Sequence, residues 1–135
     1  MQLNFNPISR EEIHKLETAL LVGTLFRPEV IEEIRNSSER LTWVDSLAVS
    51  AGALARSKAG VAVSEIAEEL GRTEATIREH LKGESKAGKL VNETYELLKE
   101  GKLQIDELFL KSEREKLKER LIKLKEEIED ILKSL

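Results

Sequence analysis

Between Val61 and Lys82 the chain reads V-A-V-S-E-I-A-E-E-L-G-R-T-E-A-T-I-R-E-H-L-K, two short amphipathic segments divided by one glycine. Glycine tolerates positive φ, so a helix can stop at Gly71 and restart in a new direction. Thr73 follows as an N-cap, its hydroxyl placed to accept from a free amide in the first turn. Ile66, Ala67, Leu70, Ile77 and Leu81 fall on the facing sides of the two segments, and the small Ala67 permits close approach. This is the outline of a helix-turn-helix. The outward face of its second helix, with the turn before it, carries Arg72, Thr73, Glu74, Ala75, Arg78, Glu79 and Lys82. In the DNA-binding use of the motif, those positions meet phosphates and base edges.

The neighbouring segments supply what such a pair needs to fold. Thr42 to about Lys58 forms a helix with Thr42 as expected N-cap, Asp45 near its positive end and Gly60 as its stop. Its apolar side, Trp43, Leu47, Val49, Ala51, Leu54 and Ala55, is rich in small residues, and Trp43 is expected as a core anchor. After Gly83 no alternating β-branched run or hairpin turn appears. Ser85 or Lys86 instead begins a helix carrying Leu90, Val91, Tyr95, Leu97 and Leu98. The expected core is therefore wingless.

Upstream, Asn6-Pro7 is an extended lead-in, because proline disfavours helix in the residue before it. Ser9 and Glu12 fit a capping box for a helix ending near Gly23, with Ile13, Leu16, Leu20 and Leu21 on one stripe. Pro28 suits the first turn of a helix reaching about Asn36, whose apolar side is Val30, Ile31 and Ile34. Downstream, Leu110, Leu117, Leu124 and Ile131 recur every seventh residue, and Leu121, Ile128 and Leu135 form a second such series. Taken as d and a positions, they make about three heptads of a coiled-coil seam. Flanking charges are mixed in a parallel pair: Glu113 attracts Lys118, whereas Arg120 repels Lys125. Either the stripe folds back on the rest of the chain or it pairs two copies; self-association is favoured.

The fold class expected is thus all-α. A helical extension spans residues 1–41, a helix-turn-helix domain 42–101, and an amphipathic dimerisation helix 102–135. Composition agrees, with 36% charged residues, 4% aromatic, 7 glycines and 2 prolines in 135 residues. Cysteine is absent, so disulfides and thiolate metal sites are excluded. No apolar run is long enough to cross a membrane, and the N-terminus does not begin as a signal peptide, which points to the cytoplasm. A single Met, Gln only at 2 and 104, and abundant Lys and Glu match the bias of heat-adapted proteins.

No catalytic constellation is present. His14 and His80 are the only histidines and neither stands in a nucleophile or metal-ligand pattern. No phosphate-cradling glycine loop occurs. The chain is expected to be no enzyme, with no cofactor and no metal. Its net charge of −4 disfavours phosphate binding overall. From Arg72 to Lys89, however, five bases (Arg72, Arg78, Lys82, Lys86, Lys89) face three acids (Glu74, Glu79, Glu84), a local balance of +2.

The run T-E-A-T-I-R-E-H-L-K-G-E-S-K-A-G-K-L-V-N-E-T-Y-E-L-L-K-E-G at Thr73–Gly101, with S-E-I-A-E-E-L-G-R before it, resembles a small archaeal family. Its members are helix-turn-helix regulatory domains found beside KaiC-like ATPases. The core is also similar to the wingless helix-turn-helix of sigma-factor region four. The resemblance covers the central half of the chain and leaves the N-terminal 40 residues and the zipper unexplained. It implies a transcription-regulator fold and a functional link with a KaiC-like ATPase. Two functions are therefore expected in order: a regulator that binds double-stranded DNA as a homodimer, and a protein-interaction adaptor for such an ATPase.

Overall fold

A computed structural model describes residues 3–103 and 105–135, with the side chains of residues 104–113 outside the described set. Among the described residues there are seven helices and no strand: α1 (Arg10–Leu25), α2 (Pro28–Asn36), α3 (Arg40–Lys58), α4 (Val63–Leu70), α5 (Glu74–Lys82), α6 (Lys86–Lys99) and α7 (Ile105–Ser134). They fall into two compact units, residues 1–104 and Ile105–Leu135. Residues 41 and 42, at the expected first domain boundary, lie within the first turn of α3.

In the first unit α3 is the common floor, packing against α1, α2, α4, α5 and α6. Its middle is the unbroken buried run Leu54, Ala53, Gly52, Ala51, Ser50 and Val49. Small side chains on every side let several helices approach one axis, where a ring of leucines would hold them off. Val49 and Ala53 form one cluster with Ile66 and Ala67 of α4 and Ile77 of α5, edged by Val61, Val63, Leu70 and Leu81. All five residues expected on the inward face of the helix pair belong to it.

Local closures follow the sequence closely. Ser9 Oγ accepts from the Glu12 amide at 3.2 Å, and the Glu12 carboxylate reaches back to the Ser9 hydroxyl and to Asn4. Pro28 occupies the first turn of α2. Gly71 has φ +66°, with Arg72 N–H bonded to Ala67 O at 3.0 Å and Gly71 N–H to Glu68 O at 3.4 Å. This pair of bonds is the Schellman closure, which only a left-handed residue can make. Gly60, Gly83 and Gly101 end α3, α5 and α6 in the same way.

Three expectations differ from what is observed. The α3 helix begins at Arg40, not at Thr42, and no side chain caps it. Ser37 Oγ accepts from the Glu39 amide, and Arg40 Nη2 donates to Arg35 O, so the chain is already turned into the helix before Thr42. Gly23 does not end α1, which runs on to Leu25. A Cβ there would lie 3.0 Å from Thr94 Cγ2, so Gly23 serves a close approach of α1 to α6. Trp43 is half-buried, with the Lys86 ammonium 5.7 Å over its ring, and does not anchor the core.

Buried polar contacts lock the helices in place of aromatics. Arg56 on α3 is 8% exposed, donating from Nε to Glu69 Oε2 (2.7 Å) and from Nη1 to Glu17 Oε2 (2.8 Å) and Gly52 O (3.0 Å). Burial opposes its charge, but the two carboxylates more than offset this and raise its pKa. The hydrogen bond from Arg56 in turn lowers the pKa of Glu69, helped by Arg10. One guanidinium thus joins α1, α3 and α4. Arg27, at the start of α2, donates to Leu90 O, Thr94 Oγ1 and Glu93 Oε2 of α6. The lead-in is equally fixed: Tyr95 donates to Phe5 O at 2.9 Å, their rings meet edge to face at 5.6 Å, and Pro7 is fully buried.

The second unit is α7 alone. Its described seam residues Leu117, Leu121, Leu124, Ile128, Ile131 and Leu135 are all exposed, from 52% at Leu124 upward. Leu110 and Glu113, which entered the expected heptads and their charge pairs, lie outside the described side chains.

The tightest helix contact makes a prediction. A Cβ on Gly88 of α6 would fall 2.8 Å from His80 Cα and 2.9 Å from its carbonyl carbon. Gly88→Ala is expected to lose a net ~2 kcal/mol, an overpacking cost near ~3 against a gain of ~1 in helix propensity. Urea unfolding of the two proteins measures it.

Candidate nucleic-acid interface

Helix α5 is only nine residues long and would not hold its shape alone. Its sequence fixes it at both ends. Thr73 Oγ1 accepts from the Thr76 amide at 3.1 Å, and its hydroxyl donates to Thr76 Oγ1 at 2.9 Å. At the other end His80 Nδ1 lies 2.6 Å from Ser85 Oγ, which accepts from the Gly88 amide and so caps α6. Ile77 is fully buried and His80 is 8% exposed, and together they set the inward side.

The side opposite is open. Arg72, Thr73, Glu74, Ala75, Arg78, Glu79 and Lys82 are all exposed. The fold therefore brings the seven expected residues onto one continuous surface, a turn and the outer face of a single short helix. Their charges are not equally available. Arg72 Nη2 donates to Asp45 Oδ2 of α3 at 2.8 Å, and its Nη1 to the carbonyls of Leu70 and Gly71 at 3.2 Å. Arg78 Nη2 stands 3.6 Å from Glu74 Oε1, one helical turn back. Lys82 has no ion-pair or hydrogen-bond partner among the described residues. It borders a shallow groove of about 770 Å³ with Lys89, Asn92, Glu96 and Leu97 of α6.

Asp45 was not foreseen as part of this surface, since it is 27 positions from Arg72 and on another helix. Only the helical phase of α3 against the turn could have signalled it. No group of three or more His, Asp or Glu among the described residues could hold a metal ion, and no described helix is long and apolar enough to cross a membrane.

With this geometry in view, comparison with known proteins is informative. Over 125 residues the chain is 59% identical to "Uncharacterized protein MJ1053" of the archaeon Methanocaldococcus jannaschii, covering 93% of this chain and 72% of that protein. The chain belongs to that archaeal family. No family model matches it. No solved structure matches it either.

Within this surface His80 is the group that titrates near neutrality. Burial lowers its pKa below the ordinary histidine value, Glu79 opposes the shift and Arg72 adds to it. A folded-state pKa below the unfolded one means that the unfolded chain binds the proton more tightly. The stability tied to neutral His80 is present above about pH 6.5 and is lost as pH falls through the lowered value. Urea midpoints are expected to drop in the window just below about pH 6.5, and His80→Asn to flatten that slope.

Proposed function

We propose that this protein is a DNA-binding regulator that works as a homodimer, with α4 and α5 acting as a helix-turn-helix and α5 as its reading helix. The observation that carries the proposal is the division of α5: Ile77 and His80 hold it to α3, α4 and α6, while its seven outward residues touch no core. A short helix fixed so firmly by one side, with its other side free and polar, suits insertion into a major groove. Arg78 is assigned to guanine, where a guanidinium makes two parallel hydrogen bonds, and Glu74 or Glu79 to the amino group of cytosine. The Glu74–Arg78 pair keeps the guanidinium extended along the helix, and exchange of the carboxylate for a base edge costs little at an exposed site. Arg72, Thr73 and Lys82 are assigned to phosphates, and Ala75 leaves room for a base at the helix start. The absence of a strand after α5 among the described residues accords with a wingless form. Self-association is assigned to the exposed stripe of α7.

A second function is favoured by one observation. The recognition surface is nearly balanced in charge, with Arg72 held by Asp45 and Arg78 beside Glu74. A surface of that kind also suits a protein partner, and the resemblance stated above names a KaiC-like ATPase as the candidate. Recovery of an ATPase with the native protein, in the absence of DNA binding, would select the adaptor.

Titration of genomic fragments by mobility shift at low salt tests the leading proposal, and no retardation at all would sink it. Once a preferred site is found, Arg78→Ala should weaken that site by ~1–3 kcal/mol and relax the preference at one base pair. Lys82→Ala should weaken every sequence alike and reduce the salt slope by about one.

A further inference from the structure

The seam of α7 has a symmetry that selects one arrangement. Leu117, Leu121, Leu124, Ile128 and Ile131 are exposed and recur at alternating spacings of four and three, with Arg114 continuing the series at its start. We propose that α7 pairs with α7 of a second copy in antiparallel orientation, with Leu121 opposite Leu124 of the second copy, Leu117 opposite Ile128, and Arg114 opposite Ile131. This deepens the homodimer proposed above and rests on it.

Charge decides between the possible pairings. In a parallel pair each seam residue meets itself, so two Arg114 guanidinium groups share one layer. Such a pair also sets Arg120 beside Lys125, and Glu127 beside the uncharged Leu132. No attraction arises anywhere among the described residues 114–135. The Glu113–Lys118 attraction of a parallel pair involves a side chain outside that set. An exposed flanking pair also weighs less than like charges forced into one seam layer.

In the antiparallel register Arg114 lies against an isoleucine near the end of the overlap, where its long stem can carry the charge out to water. Arg120 then meets Glu127 of the second copy, twice by symmetry. Lys118 meets Lys125, a repulsion that matches the Arg120–Lys125 repulsion of the parallel form and cancels in the comparison. The other fully apolar antiparallel register sets Leu124 opposite Ile128. It places Lys125 against its own copy and Glu127 against its own copy across the axis, so it has only repulsions. The chosen register puts the two-fold axis between residues 122 and 123, and the two Ile105 ends about 50 Å apart along the rod.

Two measurements test the proposal on the full chain, which has no cysteine of its own. Leu117→Cys and Ile128→Cys proteins, mixed and oxidised, should give the mixed disulfide in preference to either self-disulfide. Self-disulfides at both positions would overturn the antiparallel orientation while leaving a homodimer. Arg120→Glu separates the two orientations by sign. It sets a carboxylate against Glu127 in the antiparallel pair, so the dimer dissociation constant should rise about three- to tenfold. In a parallel pair it would meet Lys125 and the constant would fall, overturning the proposal. Sedimentation of the wild-type protein as a monomer at micromolar concentration would overturn the self-association itself, leaving the stripe to its own chain or to another protein.

Discussion

Everything in residues 1–104 depends on how many helices one axis can carry. Helix α3 meets five others, and it can do so because its middle is Val49, Ser50, Ala51, Gly52, Ala53 and Leu54. Side chains that small bring little apolar area of their own. What they permit is contact at backbone range, where Leu16 and Leu20 of α1, Ile66 of α4, Ile77 of α5 and Val91 of α6 all become fully buried. The large residues come from the surrounding helices and the space comes from α3. With few aromatics to tie these layers together, arginines do so. Arg56 leaves the floor between Glu17 and Glu69, and Arg27 crosses from α2 to the carbonyl of Leu90. A lost guanidinium at either place would strand buried carboxylates or carbonyls, so each is a specific joint and not general adhesion.

The site inherits its rigidity from this arrangement. Helix α5 is held from three directions: Ile77 sits in the cluster built on Val49 and Ala53, Thr73 closes its start, and the His80–Ser85–Gly88 contact fastens its end to α6. Because Gly88 admits the His80 backbone so closely, the two helices share a joint too tight to slide. The seven outward residues therefore present a fixed surface.

Much of this was legible in the sequence where one residue answers a local demand. Gly71, Thr73, Ser9, Ser85 and Pro28 each do what backbone chemistry asks at a helix end, and the inward set from Ile66 to Leu81 follows from helical period alone. What was not legible depends on distant partners. Gly23 looks like a stop because glycine ends helices, yet its role is set by Thr94, 71 positions away. Thr42 looks like a cap because nothing local reveals that Ser37 and Arg35 turn the chain into α3 earlier. Arg56 and Arg27 read as solvated charges, since burial of arginine is visible only when its carboxylates are in place. The Asp45–Arg72 contact was missed for the same reason.

The division within α5 also bears on how this fold can diversify. Glu74, Ala75, Arg78 and Glu79 share no neighbours with Ile77 or His80 in the core, so changes in the first set leave the second undisturbed. Distant, independent positions contribute additively. A lineage carrying this scaffold can therefore exchange its outer residues one at a time, each new combination arising on a helix that is already folded and already aimed. Affinity for a new target can drift without a stability debt, and the joint at Gly88 stays constant while the surface above it is rewritten.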